Sequence, residues 1–301
     1  MRRRAGRTLP PLRRRAARPA DPHRPDAAPA SGGHRAPPQG RVVIPRILIV
    51  AGSDSGGGAG IQADIRAVTM LGGHAMTAIT AITAQNTLGV QAVHPVPPAM
   101  VAQQMTSVLD DIGVDAVKIG MIGSAAIAET VADLLEPLDV PIVFDPVMIA
   151  TSGATLADDA TIAAFRRLMR IATVVTPNLP ELAALGGEAA VLAHGGYLLA
   201  KGGHAEGDMV VDRLIGPQGV LAILRGPRID TRHSHGTGCT LASALATGLG
   251  AGLPVEVAFA RAVRLVRAAL AAAPGLGAGH GPIGHTLGLV PFDMLEDECP
   301  A

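Results

Sequence analysis

Six times along this chain a short apolar run ends on a residue fit for chemistry, and four of the six are followed by a helical pattern. The runs end at Asp54, Gln85, Met121, Asp145, Asn178 and Lys201. The first, Arg46 to Gly52, is a brief β-branched stretch of the kind buried on both faces of a sheet. It passes through a glycine-rich loop into an amphipathic helix from about Ile61 to Leu71. Strands are expected again at Met76–Ala84, Asp115–Met121, Pro141–Met148, Ala172–Thr176 and Tyr197–Ala200. Helices are expected at about 97–112, 124–135 and 158–170 between them, and at 240–248 and 255–272 after them. Met209–Ile215 and Val220–Leu224, joined by Gly216-Pro217-Gln218-Gly219, read as an antiparallel pair. Alternation of this kind dictates an α/β fold with a mostly parallel sheet between helices. In such a sheet the strand ends share one rim, where ligands bind.

Composition narrows the class. The chain has 301 residues, and residues 1–45 hold eleven arginines against Asp21 and Asp26. Rich also in proline and without apolar period, this leader is expected to be disordered. The rest carries 14 basic and 23 acidic groups, which argues against a nucleic-acid surface. No apolar run has the length of a membrane span. Cys239 and Cys299 are the only cysteines, too few for a disulfide framework, and a cytoplasmic location fits. The expected organisation is a leader at 1–45, a single domain at 46–290 and a tail at 291–301. Only two lysines occur, Lys118 and Lys201, although arginine is common.

The stretch His235-Gly236-Thr237-Gly238-Cys239-Thr240 opens an Ala/Leu-rich helix. A glycine-rich helix entry offers unpaired amides to an anion, phosphate above all. The helix start is also expected to lower the pKa of Cys239. With the strand ends, this makes a set suited to phosphoryl transfer. Lys201 suits ATP phosphates, with Asn178 and Thr237 on the same side. Asp145 and Glu181 suit Mg²⁺ through waters. The amides of Gly236, Gly238 and Cys239 suit developing charge. Plainer readings stand beside these: Asp54 and Asp145 as helix caps, Asn178 with Glu181 as a cap, Gln85 as a turn residue. Zinc at His233, His235 and Cys239 is disfavoured, because no second Cys/His cluster exists. The loop after the first strand is not a Walker A loop, since no Gly-Lys-Ser/Thr closes it.

AGSDSGGGAGIQADI (51–65), TAITAQNTLGV (80–90), KIGM (118–121), DPVM with TSG (145–153), TPNLPE (176–181), KGGH (201–204) and HGTGCT (235–240) together resemble the hydroxymethylpyrimidine/phosphomethylpyrimidine kinases of thiamine biosynthesis. These belong to the ribokinase superfamily. The resemblance implies a ribokinase-like three-layer α/β/α fold and an enzyme dependent on ATP and Mg²⁺. Such an enzyme phosphorylates 4-amino-5-hydroxymethyl-2-methylpyrimidine and then its monophosphate. It also implies that Gly52, Gln85, Met121 and Val147 line the pyrimidine pocket, with Asp54 on the substrate side. Cys239 would stand beside the attacking hydroxyl, with Gly236, Thr237 and Gly238 completing the catalytic loop. A homodimer is expected. A pyridoxal kinase of the same superfamily and a non-catalytic pyrimidine-binding protein are the alternatives. The chain departs from the family between Glu181 and Lys201, where a full helix is replaced by Gly186–Gly196. One face of the sheet is therefore expected to be less covered.

Overall fold

The computed structural model describes residues 44–150, 153 and 155–287. The leader apart from its last two residues, the tail at 291–301, and Thr151, Ser152 and Ala154 of the loop after DPVM lie outside the described residues.

Nine strands form one sheet in the order β3-β2-β1-β4-β5-β6-β7-β8-β9. Strand β1 (Arg46–Asp54) lies parallel to β2 (His74–Asn86) on one side and to β4 (Ala116–Ile119) on the other. The parallel order continues through β5 (Ile142–Phe144), β6 (Val174–Val175) and β7 (Tyr197–Ala200). Both ends of the sheet close antiparallel. Strand β3 (Gly89–Pro95) returns along β2, while β8 (Met209–Gly216) and β9 (Gly219–Pro227) form the expected hairpin. The sheet is thus mostly parallel, as the alternation requires. Strand β3 was not expected, because most of its residues are exposed and too few apolar side chains mark it.

Successive residues of β1 feed opposite cores. Leu48 and Val50 pack with α2 (Pro98–Asp111), α3 (Ala125–Leu135) and α4 (Asp159–Ile171). Ile47, Ile49 and Ala51 pack with α1 (Gly60–Met70), α7 (Thr237–Gly250) and α8 (Val255–Ala271). Two cores separated by one sheet make the three layers. With 2% aromatic residues, small and branched aliphatics fill both cores, and Phe144 and Phe165 meet edge to face at 5.1 Å. Among the described residues no helix is long and apolar enough to cross a membrane.

The shortened segment folds into α5 (Leu179–Ala184) and α6 (Glu188–Leu192). Leu182 and Val191 reach the core from them, so the sheet is covered there. A cleft of about 370 Å³ lies between α4 and these short helices.

Candidate active site

Helix α7 begins at Thr237, three residues earlier than the Ala-rich pattern alone indicates, so Thr237, Gly238 and Cys239 form its first turn. Gly236 sits before it with φ of 88°, a left-handed conformation that glycine adopts without strain. A β-carbon on Gly236 would lie 1.9 Å from the Gly58 carbonyl oxygen. The two glycine-rich loops, nearly two hundred residues apart in sequence, therefore touch. The first-turn amides of α7 point out of the helix and carry its positive end.

The charged half of the site faces Gly238. A β-carbon there would stand 3.3 Å from Lys201 Nζ and 3.5 Å from Asp145 Oδ2. Lys201 donates to Asp145 Oδ1 at 2.7 Å and lies 3.8 Å from Glu181 Oε2. Thr176 Oγ1 also donates to Asp145 Oδ1, at 3.1 Å. Burial works against the lysine's charge, but Asp145 and Glu181 outweigh it and raise its pKa above the ordinary lysine range. Asn178 and Glu181 form a reciprocal capping box at the start of α5, each side chain accepting the other's backbone N–H at 2.8 Å. Asn178 is thus a helix cap that also pairs with the backbone of Lys201 as an isolated bridge. Burial, with Asp145 adding to it, raises the Glu181 carboxyl above its usual value, against Lys201 and the amides of Asn178 and Met148.

Among the described residues no group of three or more His, Cys, Asp or Glu is placed to hold a metal by itself. Mg²⁺ needs no such cage: it takes one or two carboxylates and completes its shell with waters and phosphates. Asp145 and Glu181, both within reach of one ammonium group, fit that donor set.

The other half of the site lies between the ends of β1, β2 and β4. Gly52 abuts Met121, whose Sδ would be 3.0 Å from a β-carbon on Gly52. Met121 is held through its carbonyl oxygen by Thr80 Oγ1 at 2.6 Å. Val147, half-buried, follows β5 and donates its N–H to the Asp145 carbonyl at 2.8 Å. Gln85 closes the end of β2, locked to Ser55 by a pair of 2.8 Å bonds through its own backbone.

Asp54 is buried and holds the first glycine-rich loop in shape. Its carboxylate accepts from the amides of Gly56 (2.8 Å), Gly58 (3.0 Å) and Ala59 (2.8 Å), and His235 Nε2 lies 3.0 Å from Oδ2. Burial would raise its pKa, but the His235 contact and the amides of Ala59 and Gly56 prevail and hold it below the usual carboxylate range. His235 also lies 3.0 Å from the Gln85 side chain. The sequence placed this histidine at the head of the HGTGCT stretch and gave it no role beyond the disfavoured zinc reading. Its place between an aspartate 181 positions away and Gln85 carries no local signature.

The expectation for Cys239 fails in one respect. Its thiol pKa is not lowered by the helix start but pushed up to about 11. Burial is the main cause, with Asp64 and Asp145 adding to it, and together they exceed the help from Lys118 and the Gly60 amide. Beneath this turn Lys118 donates to Asp64 Oδ2 at 2.8 Å, both side chains fully buried, and Ser243 Oγ donates to Asp64 Oδ1 at 2.8 Å. At neutral pH Cys239 is a thiol.

The structure thus brings the expected catalytic turn, phosphate-side groups and Gln85 to one rim. Comparisons with known proteins give the family. The phosphomethylpyrimidine kinase family matches residues 54–284. A hydroxymethylpyrimidine/phosphomethylpyrimidine kinase of Streptomyces coelicolor is 49% identical over 258 residues, covering 81% of this chain and 95% of that protein. The ADP complex of Bacillus subtilis pyridoxal kinase superposes with a TM-score of 0.75 at 32% identity, over 81% of this chain and 98% of that one. A phosphomethylpyrimidine kinase from Clostridium difficile does so with a TM-score of 0.62 at 34% identity, over 75% and 98%. On the match over residues 54–284 and the identity to its named members, the chain belongs to the phosphomethylpyrimidine kinase family.

Proposed function

We propose that the chain transfers the γ-phosphoryl group of ATP to the hydroxymethyl oxygen of 4-amino-5-hydroxymethyl-2-methylpyrimidine, and then a second phosphoryl group to the monophosphate, in thiamine biosynthesis. One observation carries this reading. The turn that opens α7 meets Lys201 and Asp145 through Gly238, while the histidine just before that turn meets Gln85. A phosphate-holding half and a half able to read a heterocycle therefore share one helix start.

Lys201 holds the nucleotide phosphates, helped on the same side by Asn178 and Thr237. The amides of Gly236, Gly238 and Cys239 face the charge that spreads over the moving phosphoryl oxygens. Asp145 and Glu181 would hold Mg²⁺, which neutralises phosphate charge when bound. Gly52, Met121 and Val147 flank the ring, and Gln85 can both donate to and accept from an aminopyrimidine edge. Asp54 serves the substrate side by shaping its loop. Phosphoryl transfer runs through a loose transition state, so the attacking hydroxyl needs placement more than a strong base. A neutral Cys239 thiol beside that hydroxyl suits such placement. A homodimeric state and a cytoplasmic location are part of the same proposal.

Mass spectrometry of products from ATP, Mg²⁺ and the pyrimidine is expected to show mono- and diphosphate. Ligand binding without product would leave a non-catalytic binding protein. Cys239→Ala is expected to lower kcat about 10- to 100-fold while moving pyrimidine Kd less than about threefold. Equal losses in both would remove Cys239 from the reacting centre. The superposition on a pyridoxal kinase makes pyridoxal the alternative substrate to assay in parallel.

A further inference from the structure

His235 sits at the joint between the two halves of the site. Its side chain is buried, at 9% exposure. Nε2 lies 3.0 Å from Asp54 Oδ2 and 3.0 Å from Gln85 Nε2. Its backbone is fixed as well: its N–H donates to the Gly281 carbonyl at 3.1 Å, and the next residue is the left-handed Gly236 that opens the catalytic turn. Nor has the ring room to move toward the first loop. A β-carbon on Gly58 would come within 2.5 Å of His235 Cδ2.

The other end of the Gln85 amide meets Thr83 Oγ1 at 3.3 Å, and that hydroxyl also bonds the Ser53 carbonyl at 2.9 Å. An amide turned by half a revolution exchanges its donor for its acceptor. Which end faces outward is settled only by the partners at each end. One imidazole nitrogen either donates or accepts, never both at once. Asp54, as a carboxylate, can only accept, so Nε2 carries the proton it donates, and the end of the Gln85 amide that can face it is the carbonyl oxygen.

We propose that His235 is a positioning residue for substrate selection. Held by Asp54, it fixes the orientation of the Gln85 amide, and through it the donor–acceptor pattern shown to the aminopyrimidine edge. The chemical class thereby favoured is a heteroaromatic ring carrying an amino group next to a ring nitrogen. A hydroxymethylpyridine, which lacks that edge, is disfavoured. This inference rests on the reading of Gln85 given under Proposed function.

The test is a double-mutant cycle on the full chain, with His235→Leu, Gln85→Ala and the pair, assayed on hydroxymethylpyrimidine and on pyridoxine. His235→Leu is expected to raise KM for the pyrimidine roughly tenfold, with KM for ATP changed less than about twofold. In the Gln85→Ala background it should add nothing, because residues acting through one contact are not additive. His235→Gln, whose amide reaches the Nε2 position, should restore most of the pyrimidine preference. His235→Asn, one methylene shorter, should not. This second pair also carries the test if the leucine variant does not fold. Additive KM effects, or a loss confined to kcat and melting temperature in all three histidine variants, would overturn the assignment. A wild-type chain inactive on both substrates would instead overturn the function on which it rests.

Discussion

The two lysines of the chain are treated oppositely by the fold. Lys118 projects from the middle of β4 and is fully buried against Asp64, equally buried, with Ser243 on the second carboxylate oxygen. One cation, one anion and one hydroxyl make a closed account. Lys201 stands at the end of β7, its side chain 13% exposed, facing Asp145 and Glu181 together. There two carboxylates share one ammonium group, at the rim of the sheet. The balanced pair has the form of a structural element. The unbalanced trio has an acidic surplus, the arrangement expected where a divalent cation arrives with nucleotide phosphates.

Breaking each pair should separate the two roles. Lys118→Met strands a buried carboxylate and should cost about 3–5 kcal/mol of stability in urea denaturation. Adding Asp64→Asn should recover much of it, and kcat per folded molecule should change little. A large kinetic loss with unchanged stability would reverse the assignment. Lys201→Ala should lower kcat about 10²- to 10³-fold, as expected when a group facing developing phosphate charge is removed. Its loss of stability should be less than half of that for Lys118→Met. Lys201→Arg should restore little, because a planar guanidinium does not replace a point charge in a tight site.

The finest test is pH. Glu181 has its pKa raised above 4.5, chiefly by burial. As pH falls through that raised value the carboxylate takes up a proton and Lys201 keeps only Asp145. The pH profile of kcat should therefore show an acid limb above pH 4.5, and Glu181→Gln should lack it. An identical limb in the variant would assign it to another group.

The layout of the fold was legible because buried strands and amphipathic helices impose different periods on the sequence. The antiparallel hairpin β8–β9 announced itself through its Gly-Pro-Gln-Gly turn. Strand β3 did not, since it lies at the sheet edge and buries little. In the site, Lys201, Gln85 and the α7 turn could be picked out because two follow or close strands and the third opens a helix at the rim. Three features could not. The Cys239 expectation used the helix start and missed the desolvation and carboxylates around it, which only the packing reveals. Asp54 could be placed on the substrate side, but not its grip on three loop amides. His235 has its meaning in partners brought from 181 and 150 positions away, and no spacing rule spans such distances. The capping box of Asn178 and Glu181, in contrast, was visible as the plainer reading of those residues and is present.

The contact between Gly58 and Gly236 carries a consequence for biosynthesis. Contacts that span most of a chain are among the last to form, because the long loop must close first. A ribosome-bound fragment lacking Gly236 has the first loop, the lysines and the glutamine, yet nothing for them to close upon. Closure of the two halves of the site upon each other is thereby expected to wait until synthesis has passed Gly236.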